Sequence, residues 1–468
     1  MIGKRKSPHL KSYLNFLGNK IKMLVLIDHF YQALHERVRA IRGAKNRIIV
    51  ESHHLNSDRI GILLLAEIIR VKRERPELKV QLLLDYWGSH SVSPELAMLI
   101  STEQIEVKYF NYPAIYQFWQ LNFRTHRKIF VVDDEVFIGG YNLSEEFFGL
   151  HAENNMLDRE VLLVGPYANK AVEAIHELWN SQWSCSPAQV LNWNVSWMPW
   201  SWKIQDNNAL RKTEAEALFQ RIANFNTANF VSGLKSVVPE KFEVEEDQIE
   251  LVFDRMGEPA KNASQSKNRH CSEKFYELLA NTKKKAYFES LYFLPTQKLN
   301  GQLRQKLFEG IKISVLTNGI DSMDKQSGEI LSLSLKYFEE LLKGGIELWG
   351  IKGRSWPNSK SRLARIGSFF ATHAKTYVFD NNIYIGSLNI DPRSFDTNLE
   401  SAVLIKNHRK LASAVKRSIQ HRVRKQALPM NSWAQLVRTG KPVGAWTSVK
   451  TIKYYALSTM RRLLEPYY

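Results

Sequence analysis

The chain has 468 residues, 44% of them hydrophobic and 24% charged, an ordinary balance for a soluble globular protein with room for two to three domains. Its net charge of +18 and pI of about 9.6 favour anionic partners, either nucleic acid or an anionic membrane surface. The two cysteines, Cys185 and Cys271, show neither metal spacing nor a disulfide framework, which suits a reducing compartment, and no apolar run approaches the ~20 residues of a membrane span.

Residues 1–22 are basic and read as a flexible or surface-bound arm. Met23–Ile27 is too short for a signal-peptide core, so membrane contact is expected to be peripheral. Leu26, Phe30, Leu34, Val38 and Ile41 repeat at helical spacing, which predicts a helix over 26–43 stopped by Gly43. A buried strand follows from Arg47, ending in the polar residues Glu51, Ser52, His53 and His54. Then come a helix over 58–73, a strand over 79–85, a short helix near 94–101 and a strand over 105–109. After a motif at 125–142, a strand at 160–164 and a helix opening at Gly165-Pro166 complete the unit. This alternation predicts an α/β sandwich around a mixed sheet.

The motif places His126 and Lys128 two residues apart, followed by an apolar run, Asp133 and then Gly139-Gly140-Tyr141-Asn142. On a strand, His126 and Lys128 share a face and aim an imidazole and an ammonium at one spot. That pairing suits a phosphate. The chain repeats it: His373, Lys375, Asp380 and Asn389 keep the same spacings, and Gly386-Ser387 replaces the glycine pair. The flanks repeat as well. Glu289-Ser290 echoes Glu51-Ser52, and Glu400 falls where Asp158 stands in the first copy. The chain is an internal duplication, and two like halves are expected to pack about a pseudo-twofold axis.

The stretch 184–248 has no counterpart in the second half and carries Trp193, Trp197, Trp200 and Trp202 before a helical segment near 209–224. Interfacial and packing roles for these indoles are both open. The basic loop 353–365 precedes the second motif and reads as an anion-attracting rim. The tail 427–468 has apolar residues near helical spacing among lysines and arginines. It fits a basic amphipathic helix on a membrane or a segment docked on the protein's own core.

The twin H-x-K-x4-D motifs resemble those of the phospholipase D superfamily. Within it, Ile138-Gly139-Gly140-Tyr141-Asn142 and Gly386-Ser387-Leu388-Asn389-Ile390-Asp391-Pro392-Arg393-Ser394 are most similar to bacterial cardiolipin synthase-like phosphatidyltransferases. The resemblance implies two phospholipase D-like α/β sandwich repeats, 46–183 and 284–426. Around them lie the N-terminal arm and helix (1–45), the Trp-rich connection (184–283) and the basic tail (427–468). It also implies one shared site at the interface of the repeats. His126, Lys128, Asp133, His373, Lys375 and Asp380 are then the motif's catalytic set, with His126 the nucleophile, although both aspartates sit at the far strand ends and read as structural. Asn142 and Asn389 are expected to bind the phosphate beside the lysines. Asp158 and Glu400, with Glu51 and Glu289 second, are the candidate carboxylates to orient the imidazoles. His53 and His54 are candidates to line the pocket. No metal and no cofactor are expected.

The implied reaction is phosphatidyl transfer through a phosphohistidine. The implied partners are an anionic phospholipid substrate, such as phosphatidylglycerol, and the membrane surface, at the cytoplasmic face of a bacterial inner membrane. Hydrolysis to phosphatidic acid is the alternative and nuclease action a further one. No nucleic-acid partner is expected, since no recognisable nucleic-acid module accompanies the charge. Nothing in the sequence sets the oligomeric state.

Overall fold

The computed structural model describes residues 21–112, 123–152, 154–192, 208–233, 237–256, 269–319, 322, 338, 340–351 and 369–430. The Trp193–Trp202 cluster, the basic loop 353–365, the tail beyond Met430 and the arm up to Lys20 lie outside these residues.

Two large mixed sheets carry the chain. The first runs in the order Glu240–Glu245, Ile21–Ile27, Glu160–Val164, Glu135–Gly139, Lys128–Val132, Arg47–Ser52, Lys79–Asp85, Glu106–Phe110, Ser184–Cys185. The second runs Ile249–Phe253, Ser401–Ile405, Asn382–Gly386, Thr376–Phe379, Lys285–Glu289, Lys312–Asn318, Glu347–Ile351, Ala427–Pro429. Apart from Glu240–Glu245, an additional edge strand of the first sheet, the two orders match strand by strand, so the duplication read from the motifs extends to topology. In each sheet three strands are parallel, and the motif strand lies antiparallel against the first of them: Arg47–Ser52 pairs with Lys128–Val132, and Lys285–Glu289 with Thr376–Phe379. Parallel neighbours need crossovers. Helix Arg59–Glu74, capped by the Asp58 carboxylate, and helix Gln297–Phe308, capped by the Thr296 hydroxyl, supply the equivalent ones.

The sheets face each other across a shared middle layer. Ile49, Val131 and Ile138 from one sheet and Val378, Ile385 and Val403 from the other join one core with Ile175 and Leu178 of helix Tyr167–Trp179 and Val415 and Ile419 of helix Arg409–Gln426. The outer faces are covered separately, by helices Phe30–Gly43 and Arg59–Glu74 on one side and by helices His270–Asn281 and Gln297–Phe308 on the other. The result is a layered α/β molecule with both motifs on the side where one sheet meets the other.

The expected helix over 26–43 is divided. Ile21–Ile27 is a strand between Glu240–Glu245 and Glu160–Val164, and the helix begins at Phe30 behind His29, whose ring accepts from the Tyr31 amide. Leu26 fits a helical stripe, but the unbroken run Met23–Ile27 fits a strand covered on both faces, and burial decided for the strand. Each sheet also takes in strands from outside the two motif-bearing stretches, Ile21–Ile27 in the first and Ile249–Phe253 in the second.

Two short pairings stitch the halves together at the site. Asn154–Leu157 runs parallel to Phe369–Thr372, and Thr125 bridges Leu399. Beneath them lies a buried charge network. Arg159, fully buried, reaches Glu289 at 2.8 Å and Asp28 at 3.1 Å, and Arg422 pairs with the same two carboxylates. Burial alone raises the Glu289 carboxyl, but the Arg422 and Arg159 charges outweigh it and hold its pKa below the ordinary value. Two cations shared between two acids leave none of the four charges alone in a low-dielectric interior, where an unpaired one would cost several kcal/mol.

Candidate active site

Strand Lys128–Val132 begins at the carboxyl end of its antiparallel neighbour Arg47–Ser52, Lys128 opposite Ser52, and His126 lies in the lead-in. The His126 amide donates to the Leu399 carbonyl at 2.9 Å, and the His373 amide donates to the Leu157 carbonyl at 2.7 Å. Each histidine is thus held by the chain of the other half, next door to that half's carboxylate. The consequence is a crossed pairing. His126 Nδ1 lies 2.9 Å from Glu400 Oε2, and His373 Nδ1 lies 2.6 Å from Asp158 Oδ2. The structure brings together the two histidines and the two preferred carboxylates, each imidazole meeting the acid of the opposite repeat. A proton on Nδ1 directed at a carboxylate leaves Nε2 with its lone pair, the tautomer an attacking or proton-accepting imidazole needs.

The carboxylates are themselves held. The Glu400 amide donates to Asp254 at 3.0 Å, and the Ser387 hydroxyl donates to the Glu400 carboxylate. Asp158 accepts from the Arg159 amide at 2.7 Å. This explains the one difference between the Gly139-Gly140 and Gly386-Ser387 turns. A Cβ at position 140 would stand 2.1 Å from Asp158 Oδ1, so only glycine fits beside the shorter acid, whereas Glu400 leaves room for a serine that bonds it.

Both lysines are buried, and each ammonium donates to the carbonyl of its own motif histidine, Lys128 to His126 at 2.7 Å and Lys375 to His373. Burial, then the Lys375 charge, pulls Lys128 down to about 7, and burial pulls Lys375 down to about 8. Burial and the lysine charges also carry both imidazoles well below the ordinary histidine value. Burial pushes Glu400 up to about 7 and Asp158 up to about 6, against the pull of the two lysines. Cations forced together in a dry pocket are the electrostatic signature of a site made for an anion. Asn142 and Asn389 sit just past strands Glu135–Gly139 and Asn382–Gly386, buried, each with an Oδ1 that has no hydrogen-bond partner among the described residues. His53 packs edge-on at 4.9 Å from His126, its Nδ1 2.9 Å from the Thr125 carbonyl, while Phe147 packs at 4.7 Å against His373. His54 has a buried Nε2 without a hydrogen-bond partner among the described residues, and burial draws its pKa down to about 4.

Four residues of the expected set stand away from the imidazoles, two of them, Asp133 and Asp380, at the far strand ends where spacing put them. Asp133 and Asp380 adopt left-handed backbone, φ 50° and 54°, at the turns closing their strands. Asp133 accepts from the amides of Lys45, Asn46 and Arg47, and Asp380 from those of Lys283, Lys284 and Lys285, at 2.7 to 3.1 Å. Both pin the chain entering the first parallel strand and touch no motif histidine. Glu51 and Glu289 also miss the imidazoles. Glu51 holds Arg127 at 2.7 Å and accepts from the Thr125 hydroxyl; Glu289 accepts from the Thr372 hydroxyl at 2.8 Å and holds Arg159 and Arg422. They lock the backbone just before each histidine. Arg127, fully buried between the motif's His and Lys in the lead-in to the strand, is missed by sequence reasoning because a charge beside a strand reads as solvent-facing; its signal is the buried Glu51 on the adjacent strand.

A family model described as "Cardiolipin synthase, PLD-like domain" matches residues 275–423. Cardiolipin synthase C of Escherichia coli (strain K12) is 27% identical, covering 84% of this chain and 83% of its own. Cardiolipin synthase B of Salmonella typhi is 24% identical, covering 90% and 86%. An uncharacterized protein of Helicobacter pylori (strain ATCC 700392 / 26695) is 26% identical, covering 82% and 76%. Among solved structures, a phosphatidylserine synthase from Haemophilus influenzae Rd KW20 superposes with a TM-score of 0.65 over 97% of this chain and 99% of its own, at 17% identity, a likeness of fold. Among the described residues no helix is long and apolar enough to cross a membrane.

Proposed function

From the premise that this chain belongs to the phospholipase D superfamily and is cardiolipin synthase-like, we propose that it is a phosphatidyltransferase acting on phospholipid diesters. The observation that carries the reading is the crossed pair of histidine–carboxylate contacts, His126 with Glu400 and His373 with Asp158, flanked by Lys128 and Lys375. A bound phosphodiester would place its two non-bridging oxygens among the lysine ammoniums and the Asn142 and Asn389 amides, which neutralise the charge that otherwise repels a nucleophile. One imidazole attacks phosphorus through Nε2, forming a P–N bond as the bond to the leaving oxygen breaks. The other gives that oxygen its proton and becomes neutral. An acceptor hydroxyl then attacks the phosphohistidine, yields its proton to the neutral imidazole, and the P–N bond breaks.

Donor phospholipid and acceptor alcohol both belong to a membrane surface, and the net charge of +18 supports peripheral attachment to an anionic one, the cytoplasmic leaflet of a bacterial inner membrane. Incubating the protein with isotopically labelled phosphatidylglycerol and resolving products by mass tests the reading. Doubly phosphatidylated product with release of glycerol is expected. Phosphatidic acid alone would make water the acceptor, and no turnover of any phospholipid would sink the proposal.

A further inference from the structure

The two copies hold the threonine before each motif histidine in different ways. In the second copy one side chain does it. Asn318, the last residue of its strand, accepts from the Thr372 amide at 2.8 Å and donates to the Thr372 carbonyl at 2.8 Å. The strand registers pair Glu51 with Leu83 and Glu289 with Leu316, which makes Asp85 the equivalent of Asn318. A carboxylate cannot donate, so the Thr125 carbonyl needs a donor from elsewhere. His53 supplies it, where the second copy has Leu291. Its Nδ1 lies 2.9 Å from that carbonyl, which can only accept, so Nδ1 carries the proton. Asp85 Oδ1 stands 3.9 Å from the same nitrogen and accepts from the Gly88 amide at 2.9 Å. A Cβ at Gly88 would come 2.0 Å from the His53 carbonyl oxygen, so the turn after Asp85 is closed down onto this residue. Burial lifts the Asp85 carboxyl to about 6, against the Arg124 charge and the amides of Gly88, Thr125 and Trp87.

We propose that His53 and Asp85 are positioning residues for His126, a split form of the clamp that Asn318 makes alone on the other side. The inference rests on the transferase reading and adds to it the groups that aim one of the two imidazoles. The Thr125 carbonyl and the His126 amide belong to one rigid peptide plane. His53 holds the carbonyl end of that plane and the Leu399 carbonyl holds the amide end. In the second copy Asn318 and the Leu157 carbonyl do the same for the plane between Thr372 and His373. A plane held at one end only can tilt, and a displacement of about 1 Å at a reacting group is enough to slow attack. The division also introduces a condition that the amide clamp lacks: His126 is aimed only while His53 keeps its proton on Nδ1.

The test exchanges one clamp for the other in the full chain, with phosphatidylglycerol vesicles as substrate and activity counted per folded molecule. His53→Leu leaves the Thr125 carbonyl without a donor, so kcat should fall about tenfold or more with KM within about twofold of the wild type's. Adding Asp85→Asn to that variant installs the second copy's arrangement and should return kcat to within about threefold of wild type. An imidazole that only lined the pocket, or that handled a proton itself, could not be replaced by an amide on the neighbouring strand. A double variant no faster than His53→Leu alone, or a His53→Leu protein as fast as wild type, overturns the clamp and leaves the transferase reading standing. Nitrogen NMR spectra of the histidines read the clamp without any turnover. The His53 signal, identified by its absence from His53→Leu, should be that of the Nδ1–H tautomer near neutral pH. That result in a protein that turns over no phospholipid keeps the clamp and removes the reaction; a proton on Nε2 alone removes the clamp.

Discussion

At the scale of single residues the site is a set of shifted equilibria. Lys128 and Lys375 must carry protons to neutralise a phosphodiester, and their pKa values of about 7 and about 8 in the free protein place the loss of that charge near neutrality. The attacking imidazole must be neutral, and both imidazoles lie well below the ordinary histidine value, so the acid limb falls below about 6.5. Because the other imidazole must start protonated, the profile of kcat/KM against pH, which reports the free enzyme, is expected to be bell-shaped, the general-acid imidazole setting the first decline and the lysines steepening it from about 7 upward. A profile still climbing at pH 9 would contradict the lysine roles. The dyads allow a second test. Glu400→Gln keeps an acceptor for His126 Nδ1 but removes the charge that steadies an imidazolium, so kcat should drop by about 10² or more with the thermal midpoint little changed. Asp158→Asn should act alike through His373. Activity near wild type in either would remove that carboxylate from the mechanism.

Among the elements, the turns after the motif strands show how far a motif can mislead. Asp133 and Asp380 belong to the recognised pattern, yet each spends its carboxylate on three backbone amides at the start of a neighbouring strand. Asp133→Ala strips those amides of an acceptor and puts a residue unsuited to φ 50° in the turn. A stability loss of about 1–3 kcal/mol by denaturant midpoint is expected, with kcat per folded molecule largely kept. A collapse of kcat at unchanged stability would return the aspartate to the chemistry. The far-end placement of both aspartates was legible from spacing alone, whereas the sharing of one site by the two motifs was only implied by the family resemblance. What could not be read was which acid meets which histidine. Spacing ranks Asp158 and Glu400 as equivalents, and only the parallel pairing of Asn154–Leu157 with Phe369–Thr372 and the Thr125–Leu399 bridge carry each past the other. Arg127 and Arg159 escaped notice for a related reason: a charge at the entry to a strand reads as exposed until the buried acid it meets is known.

For the whole molecule the relevant quantity is net charge. A balance of +18 over 468 residues should make binding to vesicles containing anionic lipid strong at low ionic strength and progressively weaker as salt shortens the Debye length from about 30 Å at 0.01 M to about 8 Å at 0.15 M. Co-sedimentation across that range checks it, and salt-independent binding would point instead to apolar insertion.

The crossed contacts described above also bear on dilution. Neither half of the chain contains a histidine together with the acid that orients it, so each half alone is deficient in the same way. Were the halves separate molecules, the fraction of complete sites would follow their concentration. Joined in one polypeptide, they meet at an effective concentration set by the connecting chain. Specific activity should therefore hold constant as the protein is diluted, and the repeats are free to diverge from each other, as His53 against Leu291 and Asp85 against Asn318 already do, without ever needing to recognise a copy of themselves.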